Sequence, residues 1–344
     1  LCVGQGKERL EITALHAGDI GCVAKLKNTH TNDTLSTKEH PVRLPQIAFP
    51  EPVVHFAVHA ASRNDEEKLQ QGLHRLHDED PTFETHYNPE THETIIAGLG
   101  ERHLDVSLAK LRRKYNVNAE LTRPRIPYRE TITAKGDGQG RHKKQSGGRG
   151  QFGDCWIRMA PRPRGDGYHF IDKIVGGVIP SGFRPAIDRG IQEASARGIL
   201  AGYPLVDFEV ELYDGSYHSV DSNEMSFKMA ARIAMSEAMP KCKPVLLEPI
   251  LKVTVAGPSE STPRLQRLIS GRRGQLLGYD TRPGWNGWDE VSALMPEAEI
   301  ADMIVEIRSV TQGIGSFRTE FDHLQELVGR TAERIVEETK KRAA

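Results

Sequence analysis

Apolar residues recur along the chain in short runs whose spacing changes repeatedly, and each change marks an element. Through residues 1–47 the runs are brief and cut by turn residues: Ala17-Gly18-Asp19-Ile20-Gly21, Cys22-Val23-Ala24-Lys25-Leu26, then Asn32-Asp33-Thr34. They predict a few strands of an incomplete barrel, followed by a linker between Pro45 and Pro50. Residues 48–122 then follow the order strand, helix, two strands, helix, strand. Pro52–Ala60 predicts the first strand, and Asn64 with Glu67 three residues on predicts a capping box. Leu69, Leu73 and Leu76 share a helix face after it. Thr82–Tyr87 and His92–Ala97 pair about the turn Asn88-Pro89-Glu90. Gly98 and Gly100 precede a helix with Leu104, Leu108, Leu111 and Tyr115 on one side, and Val117–Leu121 closes a ferredoxin-like βαββαβ unit.

Residues 123–247 open on Pro124 and Pro127 and run through a basic, glycine-rich stretch to a strand at Cys155–Met159. Val206, Phe208, Val210 and Leu212 alternate with Asp207, Glu209 and Glu211, the pattern of a strand with one wet face. One helix is predicted from Pro185 to just before Gly198, and another from after Asp221, with Glu224 three residues on, to before Pro240. Residues 248–344 repeat the βαββαβ order. Leu251, Val253 and Val255 mark the first strand, Leu265 and Leu268 a helix, Ala298–Ile307 a second helix, and Phe317, Thr319 and Phe321 the last strand. Glu326–Lys341 reads as a charged terminal helix.

At 344 residues, with 38% hydrophobic and 27% charged positions, the chain is globular and long enough for several cores. A net charge of −1 excludes a uniformly basic nucleic-acid coat, so any RNA-binding surface is a local patch. Cys2, Cys22, Cys155 and Cys242 make no Cys-x-x-Cys pair, which argues against a disulfide framework or zinc knuckle and suits a reducing, cytoplasmic setting. No apolar run reaches the ~18 residues of a membrane span. His74 and His77 with Asp78, and His55 with His59, lack the spacing of a zinc site and read as surface or structural histidines.

The charge is least even between Arg129 and Arg164, where nine Lys or Arg face three Asp or Glu. Within it, Lys143, Lys144, Gln145, Ser146, Gly147, Gly148, Arg149, Gly150 and Gln151 combine cations, amides and glycine backbone that suit phosphate oxygens. Gly148-Arg149-Gly150-Gln151-Phe152-Gly153 matches G-x-G-x-x-G, but a strand follows it where a dinucleotide fold needs a helix. No G-x-x-x-x-G-K-[ST] loop exists, so this chain carries no recognisable nucleotide-phosphate site and no catalytic residue is assigned. Asp214-Gly215 predicts a tight turn after the alternating strand, projecting Ser216, Tyr217 and His218 toward unpaired bases.

Taken together, these segments resemble elongation factor G. Lys144–Gly153 resembles the tip loop of that family's domain IV, as do Gly176–Pro180, Pro185–Ile191, Leu200–Pro204 and Tyr213–Glu224. Gly100-Glu101-Arg102-His103-Leu104-Asp105 resembles the domain III motif. Glu248-Pro249-Ile250, Gly271–Gln275 and Thr311-Gln312-Gly313 resemble domain V, and Ala17–Ile20 with Asn32–Leu35 the end of domain II. The chain departs from the family pattern in the basic Arg141-His142-Lys143, at Arg102, in the Arg282–Trp288 hairpin and after Met295; this points to the elongation-factor-G-like paralogue branch.

The resemblance implies an α+β multidomain protein. It would comprise part of β-barrel domain II (1–47), ferredoxin-like domain III (48–122), ribosomal-protein-S5-like domain IV (123–247), and a ferredoxin-like domain V with a C-terminal helix (248–344). It implies a translational GTPase that promotes tRNA–mRNA translocation, with GTP and Mg2+ held in an upstream domain and no cofactor in this chain. Glu101, Arg102 and His103 would face that GTPase domain. Lys143–Gln151 and Ser216–His218 would face RNA at the decoding region, and domain V the large-subunit rRNA. The partners would be ribosomal RNA of both subunits, with tRNA and mRNA nearby, and no membrane. A ribosome-protection or ribosome-regulating paralogue, or a non-ribosomal RNA-binding protein, is the alternative.

Overall fold

The computed structural model describes residues 1–62, 65–145 and 150–343. The chain divides into two compact units: residues 1–87 with 93–122, and residues 88–92 with 123–344. Asn64, expected to cap a helix, lies outside the described residues.

In the first unit, β1 (Cys2–Gln5) and β2 (Glu8–Glu11) form a two-stranded antiparallel sheet. Cys2 and Cys22 exchange backbone hydrogen bonds of 3.0 and 2.7 Å, and both thiols are free. Residues 23–53 form no helix or strand, so the expected barrel portion is a hairpin with one bridge and no closed barrel. Pieces of three or four apolar residues offer too little continuous pairing to close a sheet.

The βαββαβ unit forms as expected: β3 (Val54–Ala60), α1 (Glu66–Glu79), β4 (Glu84–Asn88), β5 (Glu93–Gly98), α2 (Glu101–Tyr115) and β6 (Ala119–Thr122). Its sheet order is β4-β5-β3-β6. Leu69, Leu73 and Leu76 of α1 and Leu104 and Leu111 of α2 are buried, the faces that the periodicity marked. Gly72 lets the helices approach, since a Cβ there would fall 2.6 Å from Leu111 Cδ2.

The second unit contains β7 (Arg129–Ile132), β8 (Gly136–Lys144), β9 (Gln151–Pro161), β10 (Tyr168–Asp172), α3 (Arg184–Arg197), β11 (Phe208–Ser216) and α4 (Glu224–Ala238). The central sheet has the order β10-β11-β9-β8, with β10 and β11 parallel. One face is buried: Cys155, Ile157 and Met159 of β9 and Phe208, Val210 and Leu212 of β11 pack with Ile187 and Ile191 of α3 and Phe227 of α4. Burial pushes the Cys155 thiol up to about 12 and the Cys242 thiol up to about 11, so neither supplies a thiolate nucleophile at neutral pH.

Strand β8 was not predicted, because glycine at alternate positions carries no strand signal. Its glycines serve a close approach to α4. A Cβ on Gly138 would lie closer than 3.0 Å to the Ala234 carbonyl oxygen, and one on Gly140 closer than 3.0 Å to the Ala230 carbonyl oxygen. Ala230, Ala234 and Ala238 form the matching row, fully buried. Four helical residues rise about 6 Å and two strand residues about 6.7 Å, so the two rows stay in step along the approach.

The second βαββαβ unit follows: β12 (Pro244–Pro258), α5 (Thr262–Gly271), β13 (Gln275–Thr281), β14 (Trp288–Pro296), α6 (Met303–Val310) and β15 (Ser316–Leu327). Its order, β13-β14-β12-β15, repeats the topology of the first unit. Strand β12 is 15 residues long and also pairs with β7, from Pro244↔Ile132 to Leu247↔Arg129. The departure at Arg282–Trp288 is a self-packed turn, with the Arg282 guanidinium 4.2 Å from the Trp285 ring and Trp285 edge-on to Trp288.

Three boundaries differ from expectation. Helix α4 is capped by Asn223, whose side chain accepts from Ser226 N–H at 2.8 Å, not by Asp221. Helix α6 starts at Met303, because residues 297–299 form a separate 3-10 turn. Glu326 and Leu327 stay in β15, pairing with Leu247 and Leu246, and α7 (Arg330–Ala343) starts after Gly329 at φ 75°. Helix α7 is not merely a charged tail: Ile335 packs with Tyr128, Ala201, Leu246 and Leu327.

Candidate nucleic-acid interface

Strands β8 and β9 form an antiparallel hairpin that runs from Gly136↔Met159 to Lys144↔Gln151. Strand β11 runs alongside β9 as far as Ser216↔Asp154, so its end lies at the same edge of the sheet as the hairpin end. The two predicted segments therefore meet. Lys143, Lys144, Gln145 and Gln151 are exposed, as are Ser216, Tyr217 and His218. Ser146, Gly147, Gly148 and Arg149 lie outside the described residues. Gly150 is buried and donates its N–H to Asp221 Oδ1 at 2.9 Å.

The Asp214-Gly215 turn is a misreading. Both residues remain in β11, and a bulge between Leu212 and Asp214 shifts the register. The bulge, not a turn, aims Ser216 onto the sheet surface, where its hydroxyl donates to Asp154 Oδ2 at 2.9 Å. The chain reverses afterwards, over residues 217–222. There Ser222 Oγ donates to the Phe152 carbonyl at 2.9 Å and accepts the His218 N–H at 2.9 Å, while Phe152 N–H donates to the Asp221 carbonyl at 3.0 Å. His218 Nδ1 accepts the Asp221 N–H at 3.2 Å, which leaves Nε2 as the protonated nitrogen, and the ring is exposed. Ser222 and Asp221 thus lock the reversal onto β9; Ser222 carries no sequence signal, and the sequence pattern marks Asp221 only as a helix start.

The expected GTPase-facing residues separate. Glu101 and Arg102 are exposed at the start of α2, and Arg102 lies 3.7 Å from Asp105. His103 is part-buried and tied into the fold. Its Nδ1 accepts the Leu99 N–H at 3.1 Å and its Nε2 donates to Asp80 Oδ2 at 3.2 Å, with Phe83 edge-on to the ring. Although partial burial opposes it, hydrogen bonds from Thr82 and the neighbouring His103 hold the Asp80 carboxyl below the usual range. His103→Ala is expected to cost about 1–3 kcal/mol by orphaning the Leu99 N–H and opening a gap. Asp80's folded value is depressed, so its contribution is present above the ordinary aspartate range and is lost as pH falls through the depressed value. Urea titrations at neutral pH and near pH 3 check both; a variant as stable as the parent at neutral pH contradicts this role for His103.

Sequence reasoning also missed Glu130, which is fully buried. Its carboxylate accepts N–H bonds from Ile199, Leu200, Ala201 and Tyr203 at 2.7–3.1 Å. It shapes the Leu200–Pro204 segment, and Gly198 is required beside it: φ is 63° and a Cβ would lie closer than 3.0 Å to Glu130 Oε1. Asp207, at φ 57°, similarly accepts from Gly165 and Gly167 N–H at 3.0 and 3.1 Å. Among the described residues no group of three His, Cys, Asp or Glu could hold a metal, and no helix is long and apolar enough to cross a membrane.

Comparison with known proteins covers nearly all of this chain. Profiles of elongation factor G match three consecutive stretches: domain III over residues 49–123, domain IV over residues 124–243 and the C-terminus over residues 245–335. A Synechocystis protein described as an elongation factor G-like protein is 45% identical over 327 residues, which is 95% of this chain and 49% of that protein. A crystal structure from Thermus thermophilus superposes with a TM-score of 0.81 at 36% identity, covering 99% of this chain and 51% of the other. The chain spans about half the length of the relatives it matches.

Proposed function

The chain belongs to the elongation factor G family, and from that premise we propose that it is the ribosome-facing part of a translation factor, with the β8–β9 end of domain IV set against RNA of the decoding region. The observation that carries this reading is the exposed end of the hairpin. Arg141, Lys143 and Lys144 stand there beside the His218 reversal, with no ion pair among the described residues. Cations left without acids attract phosphate and gain from counterion release. In the full protein, GTP and Mg2+ belong to a domain outside this chain, where hydrolysis is coupled to movement of tRNA and mRNA. This chain supplies the RNA-facing surface and no hydrolytic group.

The double substitution Lys143→Ala with Lys144→Ala is expected to weaken pelleting with ribosomes. It should also flatten the salt dependence of binding by roughly 1.4 in the log–log slope, about 0.7 for each phosphate no longer neutralised. Melting should be unchanged within ~0.5 kcal/mol, since both side chains are exposed. Unchanged salt dependence contradicts the reading. The 45% identity to a protein described as elongation factor G-like favours a second one, a ribosome-regulating paralogue. Ribosome binding by the full protein without tRNA–mRNA movement would select it.

A further inference from the structure

The central sheet has a second face, opposite α3 and α4. Because Gly153 and Cys155 point to the helices, Phe152, Asp154, Trp156 and Arg158 of β9 point away from them. Register places Phe152 beside Lys143, Asp154 between Arg141 and Ser216, Trp156 between Gln139 and Asp214, and Arg158 between Asp137 and Glu211. The bulge in β11 adds Tyr213 to this surface; its ring lies 6.5 Å from Trp156 and 4.9 Å from the Arg158 guanidinium. Across these three strands the face carries three aromatic rings and no Leu, Ile, Val or Met. Such a surface lacks the aliphatic centre of a protein interface. Rings interleaved with cations on a four-stranded sheet are a stacking surface for nucleobases.

The charges are graded along the face. Asp154 spends both carboxylate oxygens on neutral donors, Gln139 at 3.0 Å and Ser216 at 2.9 Å. Arg141 and Lys143 make no ion pair among the described residues. At the opposite end Arg158 is held by Asp137 at 3.0 Å and Glu211 at 3.4 Å. The positive strand is therefore β8, and the rings of β9 lie beside it, Phe152 and Trp156 roughly 13 Å apart along the strand. We propose that this open face binds a short single-stranded RNA segment. Two or three bases stack on Trp156, Tyr213 and Phe152, and the phosphates run along Arg141 and Lys143. The choice of RNA as occupant rests on the functional reading above; the rings are an independent observation.

The test uses fluorescein-labelled oligouridylate of about ten nucleotides, within the usual site size of single-strand binders. Trp156→Leu and Tyr213→Leu are each expected to weaken binding about tenfold, and Trp156→Phe to retain most of it because a ring remains. In a chain carrying Trp285→Phe and Trp288→Phe, Trp156 is the single indole, and saturating RNA should quench its emission. Binding within twofold of the parent by both Leu variants, or unquenched Trp156 emission at saturation, overturns the proposal. Ribosome pelleting of the same variants separates the two readings. If Lys143→Ala with Lys144→Ala still weakens pelleting while the Leu variants bind RNA normally, the stacking face is refuted and the ribosome-facing end stands.

Discussion

Replacing Gly140 with alanine is expected to destabilise domain IV by about 3 kcal/mol or more, the upper range for overpacking a core. The new methyl would meet the Ala230 carbonyl oxygen and the Ala234 nitrogen of α4, both backbone atoms in the middle of a 15-residue helix. Neither can rotate aside, so the helix must lift off the strand. That would unseat Phe227 and Met235 from the core behind it. Gly182→Ala is the matched control, because nothing lies within 4 Å of a Cβ there, and it should fall within ~0.5 kcal/mol of the parent. Urea midpoints of the two variants decide the matter. A Gly140→Ala midpoint indistinguishable from the control would mean that α4 sits too far from β8 for the methyl to reach it.

Glu130→Ala is expected to be comparably damaging, by at least about 3 kcal/mol. The carboxylate, itself fully buried, is the acceptor for four backbone N–H groups in a single loop, and its removal leaves them without that partner. The damage should spread. Leu200 and Ala201 help form the small core with Tyr128, Leu246 and Ile335, so α7 should loosen as well. Glu130→Gln keeps one carbonyl oxygen but turns an amide toward N–H groups, and should fall between the two. Hydrogen exchange at Ile199–Tyr203 and in α7 is the readout. Protection unchanged in Glu130→Ala would show that the loop holds itself.

Sequence patterning was a good guide wherever burial alone decides the structure. Leu69, Leu73, Leu76, Leu104 and Leu111 fell on the predicted faces, and both βαββαβ orders followed from strands and helices of ordinary composition. It failed where backbone proximity decides. Strand β8 is invisible because its inward side chains are hydrogen atoms, and their value appears only once Ala230, Ala234 and Ala238 lie against them. Asp214-Gly215 carries the signature of a turn, yet the pairing of β9 draws it into a bulge. Glu130 carries no local signal, since its four partners lie about seventy residues away. The candidate interface was legible as charge and glycine content, which local composition reveals. The aromatic row was not, because Phe152, Trp156 and Tyr213 share a surface only through register and a bulge.

Strand β12 pairs along its length with three partners in one five-stranded sheet, and one of them, β7, comes from the domain IV segment. Its first residues pair with β7 beside Glu130, and the rest forms the centre of the C-terminal domain between β14 and β15. Thr133 and Ala134 N–H groups donate to the Cys242 carbonyl just before it, at 3.1 and 2.9 Å. A joint of this kind behaves as a beam rather than a swivel. Load applied at the exposed end of domain IV reaches β12 as shear across several ladder hydrogen bonds acting in parallel, which resist together instead of opening one by one. The start of the C-terminal domain is therefore expected to tilt together with the base of domain IV rather than about a free hinge.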